Sequence, residues 1–280
     1  MGSPTILDTI VARREHDVRV AKADVPAAEL EAQLGSAPAV LDFEGRLRRQ
    51  APMALIAEVK RASPSKGDIA PRLDAAAQAT KYAEGGAAGI SVLTEPTWFK
   101  GTLADMCAVR AALDAMGDDR PAILRKDFII DEYQVLEARV HGADCLLLIV
   151  ASLDDARLRA LIERSRSFGM EPLVEVNNAD EMDRALASGA RVIGINNRDL
   201  RNFRVDLSTT DRLASRATGD ILLAALSGIS TREDVERFQA VGAGAVLVGE
   251  ALMLAQDPAA AIRALVGRTA TSPAPGVSSP

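Results

Sequence analysis

Aromatic residues are scarce in this chain: one Trp, two Tyr and six Phe, or 3% of 280 positions. Proteins that bind single-stranded nucleic acid stack bases on rings along a groove, so that class of function is disfavoured. A basic surplus is lacking too. The formal net charge is −6 and the pI is near 5.2, whereas a partner such as nucleic acid or an anionic membrane calls for a basic face. Only two cysteines, Cys107 and Cys145, and two histidines, His16 and His141, are present. The cysteines sit in apolar contexts and read as reduced core thiols of a cytoplasmic protein. The histidines have no companion ligands at useful spacing, so no metal site is expected. His141, just before a glycine, reads as the last-turn residue of a helix. No run of eighteen uncharged apolar residues occurs, and the first fifteen positions mix both signs of charge. Neither a membrane span nor a signal segment is expected.

What is present is the material of a large core. Hydrophobic residues make up 48% of the chain, and this length forms one α/β barrel as readily as two smaller domains. From Met53 onward, short β-branched apolar runs recur near 54–59, 89–94, 121–125, 144–150, 171–176, 191–195, 221–225 and 244–248, each followed by a helix-length segment. Eight strands alternating with helices are expected. The helix-to-strand joints repeat as well. Glu84-Gly85-Gly86-Ala87, His141-Gly142-Ala143, Ser188-Gly189-Ala190 and Val241-Gly242-Ala243 place glycine where a helix closes. A doubly wound open sheet would alternate in the same way, but no Gly-rich dinucleotide fingerprint follows the first strand. The pattern predicts a (β/α)8 TIM barrel, an α/β fold, over 49–267. Residues 1–48 read as an N-terminal helical extension, broken at Asp24-Val25-Pro26, with Pro26 in the first turn of the next helix. The segment 268–280, rich in Thr, Ser, Pro and Gly, reads as a disordered tail.

The first strand carries two opposite charges, Glu58 and Lys60, and period two puts them on one face while Ala57 and Val59 face the other. Charges inside an apolar strand are costly unless paired or used. A rim salt bridge on an edge strand and an active-site floor both explain such a pair. The loop that follows, Ser63-Pro64-Ser65-Lys66-Gly67, offers hydroxyl, ammonium and backbone donors suited to a phosphate. In a barrel, chemistry belongs at the carboxyl ends of the strands. Those ends bring Thr94-Glu95 with Phe99, Lys126-Asp127-Phe128, Glu175, Asn196-Asn197-Arg198-Asp199-Leu200, Ser227-Gly228 and Gly249-Glu250 to one mouth. Asp127, Asp199 and Glu250 individually suit solvated loops or local caps. The convergence of two lysines, an arginine, an asparagine and two glutamates points to a site, and the glycines after strands seven and eight match the usual barrel phosphate pocket.

Four segments carry a resemblance: Ala57-Glu58-Val59-Lys60-Arg61-Ala62-Ser63-Pro64-Ser65, Leu124-Arg125-Lys126-Asp127-Phe128-Ile129, Leu173-Val174-Glu175-Val176 and Ile193-Gly194-Ile195-Asn196-Asn197-Arg198-Asp199-Leu200. In order and spacing they closely resemble the indole-3-glycerol-phosphate synthases, the tryptophan-pathway barrel family, over about residues 5–267. The resemblance implies a barrel with an N-terminal helical extension and no cofactor. It also implies decarboxylative, dehydrating closure of a pyrrole ring on a phosphosugar, 1-(2-carboxyphenylamino)-1-deoxyribulose 5-phosphate. Carried over residue by residue, it implies Lys126 as proton donor, Glu175 as base, and Lys60 and Glu58 as further catalytic groups. Asn196, Arg198 and Leu226, with Phe99 and Phe128 flanking the aromatic ring, would bind the substrate, and Ser63, Ser227, Gly228, Gly249 and Glu250 would hold its phosphate. A monomer or weak homodimer in the cytoplasm is expected. One position departs: after the seventh strand the family carries Ala-Glu-Ser-Gly, where this chain reads Ala225-Leu226-Ser227-Gly228. That opens two alternatives, a paralogue acting on a modified anthranilate-derived substrate in secondary metabolism and a catalytically weak phosphosugar-binding barrel. Retention of both Lys126 and Glu175 favours an enzyme. Phosphoribosylanthranilate isomerase, a sibling barrel, would call for a cysteine ending the first strand and an opposing aspartate, and neither is there.

Overall fold

The eight apolar runs form eight parallel strands because each is buried along its length, save the partly exposed Lys126 that ends the third, and pairs in sequence order with its neighbour. They are β1 (Ala54–Val59), β2 (Gly89–Leu93), β3 (Ala122–Lys126), β4 (Cys145–Ile149), β5 (Leu173–Val176), β6 (Val192–Asn196), β7 (Leu222–Leu226) and β8 (Ala245–Val248). β8 pairs back onto β1, with Ala54 opposite Ala245, and closes the barrel. This computed structural model describes residues 4–268, so residues 269–280, most of the segment read as a disordered tail, lie outside the described residues.

Strand alternation sorts side chains into two cores. Ala54 and Ile56, Ala122 and Leu124, Cys145 and Leu147, and Ala224 and Leu226 point into the barrel. Their neighbours Leu55 and Ala57, Ile123, Leu146 and Ala225 pack outward against the helices. Those helices are α4 (Ala75–Glu84), α5 (Leu103–Leu113), α6 (Glu132–Val140), α7 (Asp155–Ser167), α8 (Ala179–Ala187), α9 (Ser208–Ala214), α10 (Arg232–Ala240), the single turn α11 (Glu250–Met253) and α12 (Pro258–Val266), numbered after three helices of the N-terminal extension. Gly86, Gly142, Gly189 and Gly242 adopt positive φ of 77–95°, and each sits in a four-residue joint between the preceding helix and its strand. His141 closes α6, its Nδ1 2.7 Å from the Glu137 carbonyl.

The extension comprises α1 (Ile6–Asp24), α2 (Ala27–Gln33) and α3 (Phe43–Arg48). Thr5 and Asp8 form a reciprocal capping box at the start of α1. Pro26 stands one residue outside the predicted first turn, as the N-cap of α2, where its missing N–H leaves no bond unmade. Phe43 and Leu47 of α3 plug the floor of the barrel against Ala54, Ala88 and Ala122, while Leu7 and Ile10 of α1 join the same apolar cluster. Cys145 is a core thiol, its pKa pushed well up by burial. Cys107 differs from expectation: it lies on α5 and is only half-buried.

One buried carboxylate ties the extension to the barrel. Asp144, fully buried, accepts from Arg120 at 2.5 and 2.8 Å, from the Ile123 N–H at 2.7 Å, and from the Leu41 N–H at 2.8 Å. Asp144→Ala would strand a buried guanidinium and two amides. The expected loss is about 3–5 kcal/mol, the cost of breaking a buried ion pair, measured as the shift in urea unfolding; a change under ~1 kcal/mol would show that this node does not hold the two parts together.

Candidate active site

The inward positions at the strand ends are where apolar side chains give way to polar ones. Glu58, Lys126, Glu175 and Asn196 continue the inward-facing series of β1, β3, β5 and β6, and Leu226 ends that of β7. They line one pocket of about 410 Å³ together with Lys60, Ser63, Phe99, Arg198, Ser227, Gly228, Gly249 and Glu250, a size ordinary for small-molecule sites.

Glu58 is 5% exposed, a costly place for a carboxylate. Burial alone would raise its pKa, but Lys60, Lys126 and Arg198 outweigh burial and hold it below the ordinary value. Lys60 Nζ donates to Glu58 Oε1 at 2.6 Å and Lys126 Nζ stands 3.9 Å from Oε2, so the one carboxylate bridges both ammonium groups. Gly249 makes this possible: a Cβ there would lie 2.6 Å from Glu58 Oε1 and 3.2 Å from Lys60 Nζ. Glu175 has the opposite balance. Burial raises its pKa, Glu181 and Glu58 add to the rise, and Lys126 with the Asn196 hydrogen bond offsets only part of it. Asn196 Nδ2 donates to Glu175 Oε1 at 2.8 Å, while the buried Oε2 has no hydrogen-bond partner among the described residues. A carboxyl with one oriented oxygen and one unpartnered oxygen at a pocket wall is equipped to exchange a proton with a ligand.

Arg198 is set by the same asparagine, whose Oδ1 accepts the Arg198 N–H at 3.0 Å, and by the Phe203 carbonyl, which accepts from Nη1 at 3.2 Å. The loop after β6 then folds over the loop after β7. A Cβ at Gly228 would meet Val205 at 2.7 Å and Leu207 at 2.8 Å. Next to it Ser227, a non-glycine residue, has φ 67°, a left-handed conformation that costs energy and recurs at ligand sites. With Ser63 across the pocket and the opening turn of α11, these groups make a donor-rich end opposite the aromatic one.

Four expectations need correction or completion. Phe128 is not among the residues that line the pocket; it is buried in the barrel-interior cluster and packs on Phe99, ring centroids 6.1 Å apart. Asp127 is neither a solvated loop residue nor merely a local cap: its side chain is fully buried among Arg14, Thr94 and Arg125. The Glu250 carboxylate is 42% exposed and pairs with Lys66 at 3.2 Å, so only the helix-start backbone at this residue suits an anion. Ser230, Phe203 and Leu254 also line the pocket and had no strand-end signal to reveal them, since the loops after β6, β7 and β8 bring them there, while Leu200, read at the sixth strand end, lines it as well. Leu226 is 2% exposed and fills the space above Gly194, where a Cβ would come within 2.7 Å of Leu226 Cδ1.

A closed eight-stranded barrel whose acidic, basic and donor groups converge at the strand carboxyl ends defines a class, the (β/α)8 barrels that carry a polar site at that face. The family pattern for indole-3-glycerol phosphate synthase matches residues 7–265, and the chain belongs to that family. It is 48% identical to the indole-3-glycerol phosphate synthase of Roseiflexus sp. (strain RS-1), over 94% of this chain and 98% of that one. It is 55% identical to a multifunctional tryptophan biosynthesis protein of Phanerodontia chrysosporium, over 94% of this chain but 34% of the other. The chain thus spans about a third of the multifunctional relatives it matches. Among solved structures, a 3-hexulose-6-phosphate synthase shares the fold, with TM-score 0.61 and 20% identity over 77% of this chain and 99% of that one.

The raised pKa of Glu175 has a consequence for stability. Its folded value lies above the ordinary glutamate value of 4.5, so its contribution is complete below that value and is lost as pH rises through the folded pKa. Glu175→Gln, which mimics the neutral acid, is expected to unfold at higher urea than wild type at about pH 7 and at the same urea near pH 4. Equal midpoints at neutral pH would mean that the buried carboxylate carries no strain.

Proposed function

We propose that this chain is an indole-3-glycerol-phosphate synthase, a carboxy-lyase that closes the pyrrole ring of 1-(2-carboxyphenylamino)-1-deoxyribulose 5-phosphate with loss of carbon dioxide and water. The observation that carries the reading is the cluster of Lys60, Lys126 and Glu58 facing Glu175 across one pocket, in a chain that matches the family from residue 7 to 265. Three cations, Lys60, Lys126 and Arg198, stand against Glu58 and Glu175, the latter poised to take up a proton, while the third carboxylate of the lining, Glu250, is paired with Lys66. A substrate bearing a carboxylate and a phosphate meets that surplus.

The chemistry assigns the groups. The ring carbon bearing the carboxylate attacks the ribulose carbonyl, a carbon–carbon bond forms, and Lys126 gives its proton to the carbonyl oxygen. Lys60, Arg198 and Asn196 hold the carboxylate until it departs as carbon dioxide, its bonding pair restoring the aromatic ring. Glu58 keeps both lysines in place. The new hydroxyl takes a proton from the Lys60 ammonium and leaves as water while Glu175 takes a proton from the methylene carbon next to nitrogen, which completes the pyrrole; solvent returns the lysines' protons after product leaves. Ser63, Ser227 and Gly228, with the backbone at Gly249 and Glu250, anchor the phosphate at the other end, and Phe99, backed by Phe128, packs on the aromatic ring.

Lys126→Met is expected to lower turnover by about 10²- to 10⁴-fold, the usual range for a general acid, while substrate binding stays nearly intact. Indole fluorescence under single-turnover conditions reads the first and equilibrium binding the second; half of wild-type turnover would remove Lys126 from the mechanism.

Leu226 favours a second reading, because with Leu247 it lines the pocket with apolar surface, at a position where the sequence resemblance implies a glutamate. On the primary reading the missing carboxylate costs roughly 1.5–3 kcal/mol, the range for hydrogen bonds to charged groups, or about 10- to 100-fold in rate. Leu226→Glu should then raise turnover on the plain substrate by that factor. A fall instead, with wild type preferring a ring bearing an apolar substituent, would identify a paralogue for a modified anthranilate. Steady-state kinetics of both proteins on both substrates decides between them.

A further inference from the structure

A densely bonded cluster of buried charges outside the pocket flanks Lys126. The strand residue before it, Arg125, and the one after it, Asp127, both point away from the barrel interior, and their side chains are 1% and 0% exposed. Asp127 Oδ2 accepts from Thr94 Oγ1 at 2.7 Å, from Arg14 Nη2 at 3.1 Å and from Arg125 Nη2 at 3.2 Å; Oδ1 accepts the Phe128 N–H at 2.8 Å. Arg125 continues to Glu137 at 2.7 Å and to the Gln134 carbonyl at 2.8 Å, and Gln134 in turn donates to the Phe128 carbonyl at 3.0 Å. The Lys126 carbonyl itself accepts the Thr94 N–H at 3.1 Å. The backbone on either side of Lys126 is thus bonded to Thr94 at the neighbouring strand end, to the Asp127 side chain and to Gln134 of α6. Of the side chains bonded to Asp127, one comes from beyond the barrel: Arg14, on α1, which is 7% exposed and also pairs with Asp17 at 3.0 Å.

We propose that Arg14 and Asp127 are positioning residues of the active site: their buried ion pair transmits the docking of α1 to the strand end that presents Lys126. This rests on the reading of Lys126 as proton donor. A buried carboxylate shared by two guanidinium groups has one low-energy place, and the turn bonded to it has correspondingly little freedom. Loss of one guanidinium lets the carboxylate turn toward the other, and the turn after Lys126 follows. Misplacement of a reacting group by about 1 Å costs up to ~100-fold in rate.

The test combines kinetics and structure. Arg14→Met is expected to lower kcat by about 10-fold or more with KM changed less than about twofold. Arg14→Lys, which keeps the charge but not the fork, should recover part of the loss and serves as the comparison if Arg14→Met does not fold. In an Asp127→Asn background, Arg14→Met should add nothing further. Lys22→Ala, which cuts the exposed 2.8 Å pair between α1 and Asp131, should leave kcat unchanged. A wild-type kcat in Arg14→Met, a loss confined to KM, or effects that simply add in the double variant would overturn the inference. If wild type closes no ring, the proposed activity fails, and a crystal structure of Arg14→Met still decides this point: Lys126 displaced from its 3.9 Å approach to Glu58 supports it, and Lys126 unmoved refutes it.

Discussion

A carboxylate 5% exposed at the mouth of an apolar barrel survives only because two ammonium groups stand against it. Glu58 without Lys60 and Lys126 would be an uncompensated buried charge, and the lysines without Glu58 would repel one another across a few ångströms of low dielectric. The rest of the site follows from this triad. Gly249 lacks a side chain where Glu58 and Lys60 need the room, and Arg198 adds to the field that keeps the carboxylate ionised.

The two buried glutamates show how environment divides similar groups between roles. Glu58 sits among cations and stays charged; Glu175, across the same pocket, has fewer compensating partners, and its pKa moves up. Environments that push two carboxyls apart are how one pocket holds a permanent charge beside a proton acceptor. The unpartnered Glu175 Oε2 is the price, a buried oxygen that nothing among the described residues satisfies.

The N-terminal extension is structural support for both ends of the barrel. α3 plugs the floor, and α1 reaches the mouth, where Leu7 and Ile10 join the interior cluster that includes Phe128 and where Arg14 meets Asp127. The barrel hydrogen bonds close on themselves without it. What it adds is burial of the barrel's lower opening and a second guanidinium beside the strand end that carries Lys126.

Much of this was legible in the sequence. The eight apolar runs and four glycine joints determined the strands to within a residue or two, because strand period and helix closure are local properties of the chain. Alternation also put Glu58, Lys126, Glu175 and Asn196 on the inward face, so their convergence was determined once the fold was a barrel. Tertiary structure decided the rest. Asp127 has the composition of a solvated loop residue, and only the docking of α1, 113 positions away in sequence, buries it. Phe128 packs on Phe99 in the interior cluster rather than lining the pocket, and Ser230 and Leu254 enter the wall because loops from three strands fold over one mouth. Periodicity carries information about neighbours a few residues apart; burial and ion pairing between distant segments depend on how the elements pack, and no short stretch of sequence records that.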